Sequence, residues 1–162
     1  MYQSVDEFLK DWQEEARITQ KELDVLTDES LQQEVAPGFF KLGELGWHLS
    51  SVLGFFSKGL GLEFHGVEKD APVPSSAKEI AETYRKITAD FGQAIKEQWS
   101  DQDMAEEVSM MGKQLSKSDL VKRLLNHQTH HRGQMTVLMR QAGLVIPGVY
   151  GPSKEEMEAM KK

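Results

Sequence analysis

The stretch "SKSDLVKRLLNHQTHHRGQMTVLMRQAG", Ser116 to Gly143, decides the fold. It opens on a Ser-x-x-Asp signature, in which the serine side chain accepts a hydrogen bond from the backbone N–H three residues on, and it stops at a glycine of the kind that ends helices. Between these ends, Leu120, Leu124, positions 127 and 131, Met135, Leu138 and Ala142 follow one another at spacings of three and four, the mark of one long amphipathic helix. The middle of that stripe falls on His127 and His131. Histidine there is a chemical signal, because each buried nitrogen left without a partner costs about 1–3 kcal/mol.

Three more helices are predicted upstream. The first begins at "SVDE", Ser4 to Glu7, and turns Val5, Phe8, Leu9, Trp12, Ala16, Leu23 and Leu26 inward. After "APGF", the second runs from roughly Phe40 to Leu60, with Leu42, Leu45, Leu49, Val52, Phe56 and Leu60 on one stripe. Its glycines 43, 46, 54 and 59 each weaken intrinsic helicity by up to about 1 kcal/mol relative to alanine, so packing must hold it. The third follows a linker rich in Gly and Pro, is capped by "SAKE", Ser76 to Glu79, and places Ile80, Tyr84, Ile87, Phe91 and Ala94 inward, with Trp99 closing it. Between the third and fourth helices, "EEVSMMGKQLS" alternates briefly around a glycine and reads as a small hairpin or irregular excursion. A punctuated loop, "VIPGVYGPSKEE", leads to a short terminal helix from Ser153. The fold class is therefore all-α, a four-helix bundle with a short insertion before its last helix, and the 162 residues form a single domain.

Composition narrows the function. With 39% hydrophobic and 28% charged residues the chain is an ordinary globular one, and no apolar run reaches the ~18 residues of a membrane span. The N-terminus has no basic start followed by an apolar block. The chain has no cysteine, hence no disulfide, thiolate ligand or thiol nucleophile of its own, and a cytoplasmic location is expected. A net charge of -7 with scattered Lys and Arg excludes nucleic-acid binding as the main activity. No partner in a membrane is expected either.

His127 and His131 are four residues apart, about 6 Å along the helix axis and ~40° apart around it, so two rings can share one ion. A metal satisfies one nitrogen per ring and needs the ring neutral. A third ligand is available in His48, which lies beside Leu45, Leu49 and Val52 on the inward side of the second helix. Three imidazoles from two helices make an open site, with the remaining positions left to water or substrate. His130 lies about 60° from His127 on the other side and is an alternative to His131, read as a residue beside the site or on the surface. Gln134, seven residues after His127, and Glu44, one turn before His48, are candidates for orienting a bound water or substrate. Arg132 points about 140° from His127 and suits an ion pair with a neighbouring helix or subunit. His65 reads as an exposed loop histidine, and the methionines 104, 110, 111, 135 and 139 as adaptable packing.

Other metal and phosphate motifs are missing. There is no Glu-x-x-His pair of a di-iron bundle, no His-Glu-x-x-His and no Gly-rich phosphate loop. Two further readings compete with a metalloenzyme: a non-catalytic helical module that binds a ligand or partner and uses a structural metal, and a metal-free bundle with a proton-sensing histidine cluster.

The segments "LGELGWHLSS", Leu42 to Ser51, and "LLNHQTHHRGQMTVLMRQAGLVIPGVYGPS", Leu124 to Ser153, resemble the DinB family, within the DinB and YfiT-like superfamily of metalloenzymes. The most specific part is the His-Arg-Gly-Gln block with a histidine four residues earlier, followed by Arg-x-x-Gly and Pro-x-x-Tyr-Gly. The resemblance implies a four-helix bundle with one divalent ion, nickel or zinc, on three histidines, matching His48, His127 and His131. It also implies a homodimer acting on a small-molecule substrate, with low-molecular-weight thiols as a recurring class and S-transferase or hydrolase chemistry.

Overall fold

In a computed structural model, which describes residues 1–68 and 70–161, the chain folds as an all-α bundle. The long helices are α1 (Val5–Leu23), α2 (Leu42–Leu60), α3 (Ala77–Gln98) and α4 (Lys117–Gln141), followed by a short α5 (Lys154–Ala159). A two-stranded hairpin, β1 (Glu107–Met110) and β2 (Lys113–Ser116), fills the insertion before α4. Lys69 of the linker and the terminal Lys162 lie outside the described residues.

The four serines expected to cap helices do so. Ser4, Ser76, Ser116 and Ser153 accept from the backbone N–H of Glu7, Glu79, Asp119 and Glu156. Gly143, at φ 79°, follows the last residues of α4, and the Leu144 N–H turns back to the Met139 carbonyl. In the insertion, Met111 and Gly112 both have positive φ, the requirement of a type I′ turn, and Val108 pairs with Leu115 across the ladder.

α2 is shorter at its start than the pattern implied. It begins at Leu42, and Phe39 and Phe40 are exposed in the preceding loop. α1 likewise ends at Leu23, so Leu26 is buried from the turn beyond it.

α1 packs on α3 and α4, and α2 packs on the same two helices. One apolar cluster joins Val52, Phe56 and Leu60 to Leu120, Val121 and Leu124, and a second joins Leu42, Leu45 and Leu49 to Met135, Leu138 and Met139. α2 and α4 therefore run antiparallel, with His48 and the two α4 histidines at the level where the clusters meet.

The face of α4 differs from the expected one in a specific way. Its fully buried stripe runs through Val121, Leu124, Gln128, Arg132, Met135 and Met139. His127 and His131 sit at the edge of that stripe, half-buried, and Ala142 is half-buried beyond the helix end. Both registers carry polar residues in the middle, so apolar spacing alone could not choose between them. What decides is that Gln128 and Arg132 find partners inside the bundle.

Candidate metal centre

Three rings converge on the seam between α2 and α4. The Nε2 atom of His127 lies 3.2 Å from Nε2 of His131 and 3.4 Å from Nε2 of His48. One ligand atom from each of His48, His127 and His131 falls within 4.8 Å of the other two. Nitrogens bound to one ion at about 2.1 Å with tetrahedral angles stand roughly 3.4 Å apart, so the spacing fits a shared first-row ion. The donor set is also the right one, three neutral imidazoles with no thiolate.

Neutrality follows from the surroundings. Burial lowers the pKa of His127 to about 4, helped by the neighbouring His131 and His48. Burial and His131 lower that of His48 as well. His131 is also shifted down, by burial first, although its bond to Gln134 works the other way. At neutral pH each of the three rings is uncharged and has one nitrogen with a free lone pair, the form a metal requires. All three remain half-exposed, so the cluster is open on one side. On the inner side, the buried Phe56 packs edge-on to His127 at 5.9 Å between ring centroids.

Local structure explains how the rings are aimed. His127 and His131 are one turn apart on α4, and their rings meet at 4.4 Å between centroids. His48 comes from across the seam, one residue before the fully buried Leu49. Gln128 ties the two helices beside it: its Nε2 donates to the Leu49 carbonyl at 2.9 Å, and its Oε1 accepts from the Tyr84 hydroxyl of α3 at 3.2 Å. Three helices are thus pinned at the level of the cluster.

The other candidate residues fall in different places. The Gln134 Oε1 is 2.7 Å from His131 Nδ1, so this side chain meets a ring of the cluster. Glu44 is exposed and accepts from the Lys41 backbone N–H at 2.7 Å, which caps α2, and it is not in the histidine group. His130 is exposed, with its ring 5.0 Å from that of His131. His65 is an exposed loop residue. Met104, Met135 and Met139 are buried packing, whereas Met111 is exposed at the hairpin turn.

Arg132 makes the ion pair its direction suggested, with Glu15 of α1 at 2.7 Å. It is 2% exposed, and it also donates to the Thr19 hydroxyl at 3.0 Å and to the Tyr150 hydroxyl. Tyr150 in turn donates to Glu15 at 2.7 Å, so the loop after α4 is fastened over the α1–α4 junction. The partners of Gln128 and Arg132 were invisible in the sequence, because hydrogen bonds between residues on separate elements leave no periodic signal.

Comparisons with known proteins agree with the fold and the family resemblance. The family model described as "DinB family" matches residues 1–162. A Bacillus subtilis (strain 168) protein named uncharacterized protein YrdA is 47% identical over 156 residues, covering 96% of this chain and 93% of its own length. The crystal structure of a DinB-like protein from Bacillus cereus ATCC 10987 aligns with a TM-score of 0.89 at 51% identity, over 93% of this chain and 100% of that one. A DinB-like protein from Bacillus subtilis, YjoA, shares the fold at a TM-score of 0.70 and 15% identity, over 91% of this chain and 99% of that one. The chain belongs to the DinB family.

Proposed function

We propose that this protein is a metal-dependent enzyme in which His48, His127 and His131 hold one divalent ion, nickel or zinc, at an open site on the α2–α4 seam. The observation that carries the reading is the convergence of three neutral, half-exposed imidazoles from two helices, with Nε2 atoms 3.2 and 3.4 Å apart. A bound ion there supplies a lowered pKa to a water or thiol and polarises an electrophile. The chain's own part is to fix the rings on rigid helices, close the inner side with Phe56 and leave the outer side to the substrate.

The proposed substrate is a small molecule that bears or accepts a low-molecular-weight thiol, and the reaction an S-transfer or a hydrolysis. The lack of cysteine in the chain fits a thiol that arrives from outside. Half-exposed ligands speak against a closed structural site, whose ion is normally sealed by four protein ligands. We further propose a cytoplasmic homodimer. No helix among the described residues is long and apolar enough to cross a membrane. Val35, Phe39 and Phe40, 60%, 64% and 67% exposed, offer apolar area to a second copy.

Elemental analysis of untagged protein beside His127→Ala tests the site. The wild type is expected to carry about one ion per chain and the variant almost none; equal content in both ends the proposal. Loaded protein screened against thiols and electrophiles then reads the reaction, and sedimentation of the same sample reads the dimer. A chelator that collapses the fold instead of sparing it favours a structural ion.

A further inference from the structure

The hydrogen bond between Gln134 and His131 does more than tether a side chain, because it decides which nitrogen of the ring carries the proton. A neutral imidazole has one N–H and one lone pair, and only the nitrogen with the lone pair can ligate. Side-chain imidazoles in water favour the proton on Nε2. In this cluster Nε2 of His131 is the atom that faces His127, at 3.2 Å, so the intrinsic preference is the wrong one for a ligand.

We propose that Gln134 is a positioning residue of the metal centre: its carboxamide oxygen accepts the Nδ1–H of His131 and so keeps the lone pair of that ring on Nε2, toward His48 and His127. The inference rests on the metal reading given above. A carboxamide oxygen only accepts, and at 2.7 Å it fixes the proton on Nδ1. The pair is three residues apart on α4, so the helix itself delivers the acceptor and no tertiary contact is needed. His127 differs. Its Nδ1 is buried with no hydrogen-bond partner among the described residues, so nothing comparable sets its tautomer. His131 is therefore the ring that the chain prepares in the ligating form before an ion arrives.

Such partners of ligating histidines are worth about 10- to 100-fold in metal affinity. Gln134 is exposed, and water can in part replace its oxygen, which places the effect near the lower end. Gln134→Leu removes the acceptor and crowds out water, whereas Gln134→Glu keeps an acceptor at the same reach. The test titrates zinc(II) and nickel(II) into the full chain and, separately, reads the ring nitrogens of His131 by 15N NMR in metal-free protein. Gln134→Leu is expected to bind either ion about 10-fold more weakly, and Gln134→Glu at least as tightly as wild type. In metal-free wild type and Gln134→Glu the proton is expected on Nδ1, and in Gln134→Leu it is expected to move toward Nε2. The thermal midpoint of the metal-free chain should not change, so a merely structural role would leave these readouts alone. Wild-type affinity in Gln134→Leu, or an Nε2 proton on His131 in the wild type, overturns the positioning role while the metal site stands. A wild type that binds neither ion overturns the metal reading, and this inference with it.

Discussion

Gln128 shows what a single polar residue does in this core. It is 1% exposed and spends both ends of its carboxamide, on the Tyr84 hydroxyl and on the Leu49 carbonyl. Replacing it by leucine keeps the volume but strands the Tyr84 hydroxyl, which is itself 1% exposed. An orphaned buried donor costs about 1–3 kcal/mol, so Gln128→Leu should lose stability on that scale in urea unfolding, and adding Tyr84→Phe should restore part of it. Additive losses in the double variant would show that the hydroxyl is not what Gln128 satisfies. Residues of this kind were the least legible in the sequence. Nothing in the sequence singled out Gln128, since polar residues announce burial only through partners elsewhere in the chain.

At the scale of the helix, the glycines of α2 and α4 separate packing from propensity. Gly43 stands against the loop that carries the first 3-10 turn: a Cβ there would lie 3.0 Å from the Leu31 Cβ and 3.2 Å from the Leu31 carbonyl oxygen. Backbone cannot step aside as a side-chain tip can. Gly43→Ala should therefore destabilise, despite alanine's better helix propensity. Gly133 in α4 is the opposite case, since a Cβ added there would meet nothing within 4 Å and the backbone around it is helical. Gly133→Ala should stabilise by about 1 kcal/mol, the propensity difference alone. Thermal unfolding of the two variants checks both signs, and equal shifts would mean that the Leu31 contact is not restrictive. The sequence made clear that packing must support α2, but not which glycine meets a neighbour. Such a contact depends on how the loop at 24–41 folds back, and loops carry no period.

Across the whole bundle, burial produces a pH dependence centred on Glu22 of α1. It is 0% exposed, and neither carboxylate oxygen has a hydrogen-bond partner among the described residues. Burial raises its pKa from 4.5 to about 8, against the pull of Arg132 on α4. The folded chain therefore holds a proton there that the unfolded chain releases near pH 4.5. Stability from this group is fully present below that pH, declines as pH rises toward about 8, and levels off above, where both states are ionised. Glu22→Gln removes the decline. In metal-free protein, urea unfolding should show the variant gaining on the wild type between about pH 5.5 and pH 8.5. Parallel profiles would mean that Glu22 is ionised in the folded chain throughout. Arg132 and Tyr84 are the charged and titratable groups that face it from the other helices, and both are common to the two proteins.

By itself the sequence determined the four long helices, the serine caps of three of them, the glycine stop of α4 and the place of the hairpin, because all of these are written in spacings of a few residues. It also narrowed the candidates to His48 and His127 with His131 or its alternative His130, since i, i+4 geometry on α4 is local and the His48 stripe on α2 follows the same period. Only the tertiary structure decided that the three Nε2 atoms come together and that Gln128 and Arg132 rather than the histidines occupy the centre of the α4 stripe. Those outcomes depend on the rotation of each helix about its own axis. Such rotation is set by packing and hydrogen bonds between residues far apart in the chain, and no local pattern encodes it.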